Sequence, residues 1–262
     1  MYKRIIYALL YSKGFFHLSR NFRLQQVGDV SWLKNNFGFG ETCNYIDELM
    51  IILVTKNLNE KEISNYFKDV NKLREKIFVP ITLGGGIRSF EDAKKCFTNG
   101  ADKVLINNLA HTDEKTINKI SSVYGEQAIS LMVDYKSING INFSFINSGQ
   151  KESKSLKEHL EKIKNLNFGE LILNSIEKDG TAAGLDINCL EDSPKKLNKP
   201  VLLMGGAGKS EHFVSVLEKS KISGIVTANL FNFLGTGLQL ARSFSASNGI
   251  RLIKFDKMNQ KL

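Results

Sequence analysis

Two apolar stretches of similar outline end on different chemistry. In KRIIYALLYSKG the run closes on Leu10, Tyr11 and Ser12, and in QAISLMVDYKSING it closes on Asp134, Tyr135 and Lys136. A carboxylate at the tip of a buried run can exchange a proton with a ligand, whereas a leucine has none to exchange. Glycine clusters are a second duplicated feature. Gly84, Gly85 and Gly86 follow one apolar run and precede a helix-like stretch, and Gly205, Gly206 and Gly208 do the same. Glycines there let the backbone approach an anion closely, while free N–H groups at the start of the following helix point towards it. Each cluster has a companion segment, Asn107 and Asn108 for the first, Ala228 and Asn229 for the second. Turns between strands and helices use glycine for their own reasons, so either cluster alone is weak evidence. Their duplication at equivalent places points to two phosphate cradles and to an elongated ligand phosphorylated at both ends.

Such residues need a frame that brings them to one end of the molecule. Eight short apolar runs serve as candidate strands: RIIYALL, ELMIILV, VPITLG, KVLIN, AISLMVD, ELILNSI, PVLLMG and GIVTA. Most are nearly continuous, the signature of parallel strands covered on both faces. Between them NEKEISNYFKDVNKLREKI, SFEDAKKCFTNG and SEHFVSVLEKSK read as helices, the second closing at Gly100 as a C-terminal cap. This alternation predicts an α/β fold, a (β/α)8 TIM barrel, with a doubly wound open sheet as the alternative.

An internal repeat favours the barrel. LGGGIRSFEDA matches MGGAGKSEHF with Gly84 and Gly205 standing 121 positions apart, and VLINN matches IVTAN at the same offset. Glu48 and Glu170 stand 122 apart, Leu10 and Asp134 124 apart. The expectation is one barrel domain over residues 1–262, made of homologous half-barrels at about 1–122 and 123–262. The ends of the third and fourth strands then build one cradle, and those of the seventh and eighth the other.

Composition narrows the classes. With 42% hydrophobic and 24% charged residues the chain can bury a full core. It carries neither a bilayer-length apolar run nor a secretion-signal pattern, so no membrane partner and a cytoplasmic location are expected. The net charge of +9 suits an anionic partner, but the lysines interleave with acids at helical spacing and form no compact block. That argues against nucleic acid and leaves a phosphorylated small molecule. Cys43, Cys96 and Cys189, and His17, His111, His159 and His212, are too scattered for a disulfide framework or a metal site. No metal and no cofactor are expected.

The motifs KRII, LGGGIRSFEDA, GADKVLINN, SIEKDGT and GGAGKSEHF, in this order over two halves, resemble the cyclase subunit of imidazole glycerol phosphate synthase, the HisF family. The resemblance covers essentially the whole chain. It implies that ammonia made by a HisH-like glutaminase subunit travels through the barrel to a bis-phosphorylated ribulosyl substrate at the C-terminal mouth. There two aspartates, at the tips of the first and fifth strands, form the acid–base pair. The fifth-strand position is Asp134, but the first-strand position is Leu10. The resemblance also implies substrate contacts from Asp179, Gly180 and Thr181 beside the two cradles. At the opposite end it implies an ammonia entrance ringed by Arg4, Glu48, Lys103 and Glu170, a neutral quartet.

Other departures accompany Leu10. Leu53 stands where the family's second strand ends in aspartate, and the lysine expected after the first strand falls near Leu18, with His17 or Arg20 as partial substitutes. Tyr7, Tyr11 and Tyr135 flank the altered mouth without an assigned task. A chain that keeps the entrance and drops a catalytic aspartate resembles the acetamidino modification proteins, the AglZ/WbuZ type. In that branch the barrel works with a glutaminase and a separate sugar amidotransferase, turning a sugar's N-acetyl group into an acetamidino group in surface-glycan and polysaccharide biosynthesis. Ammonia conduction is then the expected role, with no bond-making required of the barrel itself. The alternatives are a working cyclase of histidine biosynthesis, an ammonia-independent phosphoribosyl isomerase and a non-catalytic ligand-binding barrel.

Overall fold

The computed structural model describes residues 2–36, 43–55, 58–75, 77–228 and 236–253. Asn229, expected in the second cradle, lies outside the described residues. The strands are β1 (Arg4–Ser12), β2 (Phe15–Arg20), β3 (Arg23–Gly28), β4 (Glu48–Leu53), β5 (Ile81–Gly84), β6 (Lys103–Ile106), β7 (Ile129–Ile138), β8 (Ile141–Ile146), β9 (Lys151–Ser155), β10 (Glu170–Ser175), β11 (Val201–Met204) and β12 (Ile222–Thr227). The helices are α1 (Val30–Asn36), α2 (Glu60–Arg74), α3 (Phe90–Thr98), α4 (Leu109–Thr112), α5 (Glu114–Tyr124), α6 (Leu156–Ile163), α7 (Ser210–Leu217) and α8 (Gly237–Ser247).

Eight strands pair in parallel in the order β1, β4, β5, β6, β7, β10, β11, β12, and β12 returns to β1 with Arg4 opposite Gly224 and Tyr7 opposite Thr227. The sheet is therefore a closed (β/α)8 barrel, and the eight apolar runs are its staves. Their near-continuous hydrophobicity has a direct cause, because both faces are buried. Along β1, Ile5, Tyr7, Leu9 and Tyr11 pack outward against the helix layer, while Ile6, Ala8 and Leu10 pack inward on Met50, Leu105, Met132, Ile172 and Leu202. Local chemistry starts the helices. Asn59 accepts from the Glu62 amide at 2.9 Å ahead of α2, and Ser89 accepts from the Asp92 amide at 3.2 Å ahead of α3. Gly100, with φ +88°, follows α3 in the left-handed region, as its C-terminal cap position suggests.

Two hairpins stand outside the expected pattern. β1 runs on to Ser12 and pairs antiparallel with β2, which pairs with β3, and β7 runs on to Ile138 and does the same with β8 and β9. RLQQVG and KESKS are polar and mostly exposed, so neither shows the apolar run that marks a strand in sequence. They form because an overhanging stave offers free N–H and C=O groups to pair with.

The three tyrosines flanking the mouth point away from it into the outer layer. The Tyr11 hydroxyl donates to Asp69 at 2.7 Å and the Tyr135 hydroxyl to Asp186 at 3.0 Å. Cys43, Cys96 and Cys189 are buried thiols with no disulfide. Among the described residues no helix is long and apolar enough to cross a membrane.

Candidate functional site: a charged floor and a rebuilt mouth

The floor is set by residues at stave starts, where the strand direction brings their side chains to the barrel axis. Arg4 on β1 lies 3.4 Å from Glu48 Oε2 and 2.6 Å from Glu170 Oε2. Lys103 on β6 lies 2.7 Å from Glu48 Oε2 and 3.0 Å from Glu170 Oε1. Each cation bridges both acids, so the four close into a ring. The acids are buried, while the Arg4 and Lys103 side chains keep 22% and 18% of their surface exposed. Burial alone pushes the Glu170 carboxyl up, but Arg4, Lys103 and the Ser130 hydroxyl outweigh it and hold the group below its ordinary value. Ser130 donates to Glu170 at 2.5 Å and the Thr82 hydroxyl donates to Glu48. These two braces escaped the sequence reading, and their one signal is a hydroxyl inside an otherwise apolar stave. Above the ring the interior turns apolar, with Ile6, Met50, Leu105, Met132, Ile172 and Leu202 filling it.

At the mouth, Asp134 near the barrel end of β7 is buried and held by two amides. Asn174 donates to its Oδ1 at 2.7 Å and Asn107 to its Oδ2 at 2.8 Å. Burial pushes the Asp134 carboxyl up to about 6, the two amide donors work against that rise, and nearby Asp179 adds to it. Asn107 was expected at the site. Asn174 was not, though a lone amide in ELILNSI is a visible signal. Leu10 fills its place in the interior apolar cluster at 7% exposure and brings no group to face Asp134. Its antiparallel partner is His17, directly opposite on β2, so the two share one face of the ribbon. The His17 ring meets the Phe15 carbonyl at 3.1 Å, and burial lowers its pKa while that contact raises it. Leu53 packs in the outer core.

The glycine clusters lie at equivalent places in the two halves. Gly85 has φ +91° and Gly205 φ +96°, and a Cβ would come within 2.0 Å of the Leu53 carbonyl or 2.6 Å of the Ser175 carbonyl. Each glycine thus passes tight against the end of the preceding stave, which no other residue could do. Asn108 turns outward instead, its Oδ1 accepting from the Asn147 amide at 3.1 Å at the β8–β9 turn. Thr181 shapes its own loop by donating to the Lys178 carbonyl at 2.8 Å.

The β2–β3 hairpin reaches across to the second cradle. Asp179 Oδ2 accepts from the Ser19 hydroxyl at 2.5 Å and from the Phe22 amide at 3.0 Å, while the Asn21 side chain donates to the Ile176 and Glu177 carbonyls at 3.1 and 2.9 Å. Burial raises the Asp179 pKa, and the Ser19 and Phe22 hydrogen bonds pull it back. Leu18 and Ser19 of the hairpin, with Asp179, Gly180, Gly205, Gly206 and Ala228, line a cavity of about 20 Å³. That volume admits one water-sized molecule.

Among the described residues no group of three or more His, Cys, Asp or Glu could hold a metal ion. The residues brought together are a charged floor, an apolar interior and a mouth with the buried Asp134 carboxylate among amides and the Asp179 carboxylate tied to the hairpin.

Comparison with known proteins bears on this barrel as a whole. The family described as "Histidine biosynthesis protein" matches residues 43–236. A relative from Parasynechococcus marenigrum (strain WH8102), provisionally named imidazole glycerol phosphate synthase subunit hisF2, is 43% identical over 241 residues, covering 92% of this chain and 89% of the relative. Proteins named imidazole glycerol phosphate synthase subunit HisF are also similar. The one from Streptococcus sanguinis (strain SK36) is 33% identical over 88% of this chain and 90% of its own length. The one from Chlorobium phaeobacteroides (strain BS1) is 32% identical over 79% and 82%. With a closed eight-stave barrel and matches over most of its length, the chain belongs to the histidine biosynthesis protein family, as a HisF-like barrel.

Proposed function

We propose that this chain is the ammonia-conducting barrel of a glutamine amidotransferase complex, taking ammonia from a HisH-like glutaminase at its floor and releasing it at its mouth. The observation that carries the reading is the closed Arg4–Glu48–Lys103–Glu170 ring set over an apolar interior. Neutral ammonia can enter such an interior, whereas an ion pays the full cost of leaving water. Swinging one cation aside opens the ring without unpairing either acid, because each acid keeps a second cation.

The mouth supports delivery to another enzyme in preference to ring closure within the barrel. Ring closure needs one group to accept and another to give a proton. Leu10 supplies neither, Asp134 can serve as only one of the two, and the Asp179 carboxylate holds the hairpin. This pattern fits the acetamidino modification branch, in which a separate sugar amidotransferase accepts the ammonia and turns an N-acetyl group into an acetamidino group during surface-glycan biosynthesis. The second reading, the cyclase of histidine biosynthesis, draws on the names of the relatives, and there the glycine cradles at Gly84–Gly86 and Gly205–Gly208 hold the two phosphates.

Two assays separate these readings. Adding the barrel to a co-expressed HisH-like glutaminase is expected to raise glutamine hydrolysis, and no rise refutes the conduit. Supplying ammonium and the bis-phosphorylated ribulosyl substrate is expected to give no turnover. Robust turnover by the wild-type chain establishes the cyclase instead. Losing one acid–base group costs roughly 10²–10⁴-fold in rate, so Leu10→Asp measures how much of the older site survives.

A further inference from the structure

Asp134 is gripped on both oxygens by side-chain amides, and the other ends of those amides are left over. Asn107 Oδ1 and Asn174 Oδ1 are buried with no hydrogen-bond partner among the described residues. Asn174 as a whole is only 4% exposed. A buried acceptor left unmatched is destabilising, so two beside one carboxylate call for a ligand that donates hydrogen bonds.

The position of the three residues narrows that ligand. Asp134 and Asn174 stand two residues beyond the interior-lining Met132 and Ile172 on β7 and β10, and Asn107 directly follows β6, two residues beyond the interior-lining Leu105. Side chains two apart on a strand share a face, so Asp134 and Asn174 cap the apolar interior from above, and Asn107 joins them through its hydrogen bond to Asp134. Whatever crosses that interior meets these acceptors on leaving it. The ligand must be small, must offer several N–H donors at once, and must be able to balance a carboxylate.

We infer that Asp134, Asn107 and Asn174 form a receiving site for ammonia, which they hold as ammonium at the top of the interior. The inference rests on the ammonia-conduit reading and specifies where the conduit ends. The proton balance is closed: ammonia takes the proton of the Asp134 acid to give ammonium and carboxylate, and the reverse transfer returns a neutral nucleophile to the acceptor. Asn174 and Asn107 supply amide oxygens to the N–H groups that Asp134 leaves unmatched. Leu10 on the far side keeps a second carboxylate from competing for the same ion.

Thallium(I), which matches ammonium in charge and size and scatters anomalously, is a direct probe. Crystals of the full chain soaked in thallium(I) are expected to show an anomalous peak among Asp134, Asn107 and Asn174, displaced by added ammonium. Asp134→Asn removes the ion's charged partner, so occupancy at equal concentration falls at least about ten-fold. Asn107→Ala, at a partly exposed position, keeps the fold and weakens the peak. No peak there in the wild-type protein, or an equally strong one in Asp134→Asn, overturns the site. Glutamine hydrolysis is read separately. Thallium binding without stimulation of the glutaminase leaves the site and removes the conduit, and stimulation without thallium binding does the opposite.

Discussion

The Ser19 hydroxyl meets the Asp179 carboxylate at 2.5 Å, joining the tip of a hairpin to a loop 160 residues further along the chain. The same carboxylate oxygen accepts the Phe22 amide at 3.0 Å, so one side chain latches the hairpin over the second glycine cradle. Hydrogen bonds to a charged group contribute on the order of 1.5–3 kcal/mol. Asp179→Ala is therefore expected to loosen the tip while leaving the barrel's melting temperature nearly unchanged. Trypsin cleavage after Arg20 and Arg23 should rise at least about ten-fold, since opening tracks local stability. Unchanged cleavage means that the Asn21 contacts alone hold the hairpin.

The floor ring makes a prediction about coupling. Arg4 and Lys103 each bridge Glu48 and Glu170, so either acid retains one cation when the other is removed. Arg4→Met or Lys103→Met alone should cost about 1–3 kcal/mol, less than breaking a fully buried pair because both cations are partly solvated. The double variant should lose about 1–2 kcal/mol beyond the two single losses. Glu170 is held below its ordinary value of 4.5. Its contribution is present above that value and is lost as pH falls through the lower native one. The variants' deficit should accordingly shrink in acid. Urea unfolding of all four proteins at several pH values checks both statements, and additive losses contradict the ring.

The staves were legible in the sequence for one reason: buried parallel strands must be apolar along their whole length. Arg4, Glu48, Lys103 and Glu170 were expected from the family resemblance, and they do come together. The mouth was legible at Asp134 and Asn107, whose strand-end positions fix where they point. Asn174, Thr82 and Ser130 were missed because a single polar residue inside an apolar run reads as noise until its partner across the barrel is known. The hairpins were missed for the opposite reason, since RLQQVG and KESKS bury little and owe their strand form to β1 and β7. Asp179 was found as a residue, but its contact with Ser19 depends on a hairpin that leaves no periodic trace.

Asp134 should make the protein less stable as pH rises. Burial holds its carboxyl at about 6, above the ordinary 3.8, so the native state binds the proton more tightly than the unfolded chain does. Stability then falls as pH climbs from about 4 to about 6 and stays lower above that range. Asp134→Asn removes the ionisation, and a flipped Asn107 or Asn174 amide can turn its unmatched Oδ1 towards the new NH₂ group. The variant is expected to be more stable than wild type by on the order of 2 kcal/mol at pH 8, with the gain vanishing near pH 4. Thermal melts across this range test it, and a pH-independent difference rules the titration out.

His111 and His159 should act in the other direction. Their rings stack at 3.7 Å and 9°, and neither Nε2 has a hydrogen-bond partner among the described residues. The Ser153 hydroxyl lies 3.4 Å from His111 Nδ1, and Lys162, which pairs with Glu114 at 3.1 Å, acts electrostatically on both rings. Burial first, and then Lys162, lowers His111 to about 4; burial, His111, Lys162 and Lys154 lower His159 to about 3. Both native values lie below the ordinary 6.5, so the unfolded chain takes up protons that the folded one refuses. Stability is then fully present above pH 6.5 and is lost as pH falls towards 4, at no more than roughly 1.4 kcal/mol per pH unit for each histidine. Asp134 titrates with opposite sign over part of this window, so the comparison belongs in the Asp134→Asn background. There His159→Phe, which keeps an aromatic face on His111, should remove about half of the acid slope. Adding His111→Phe should flatten it, whereas a slope unchanged by either substitution locates the acid sensitivity elsewhere.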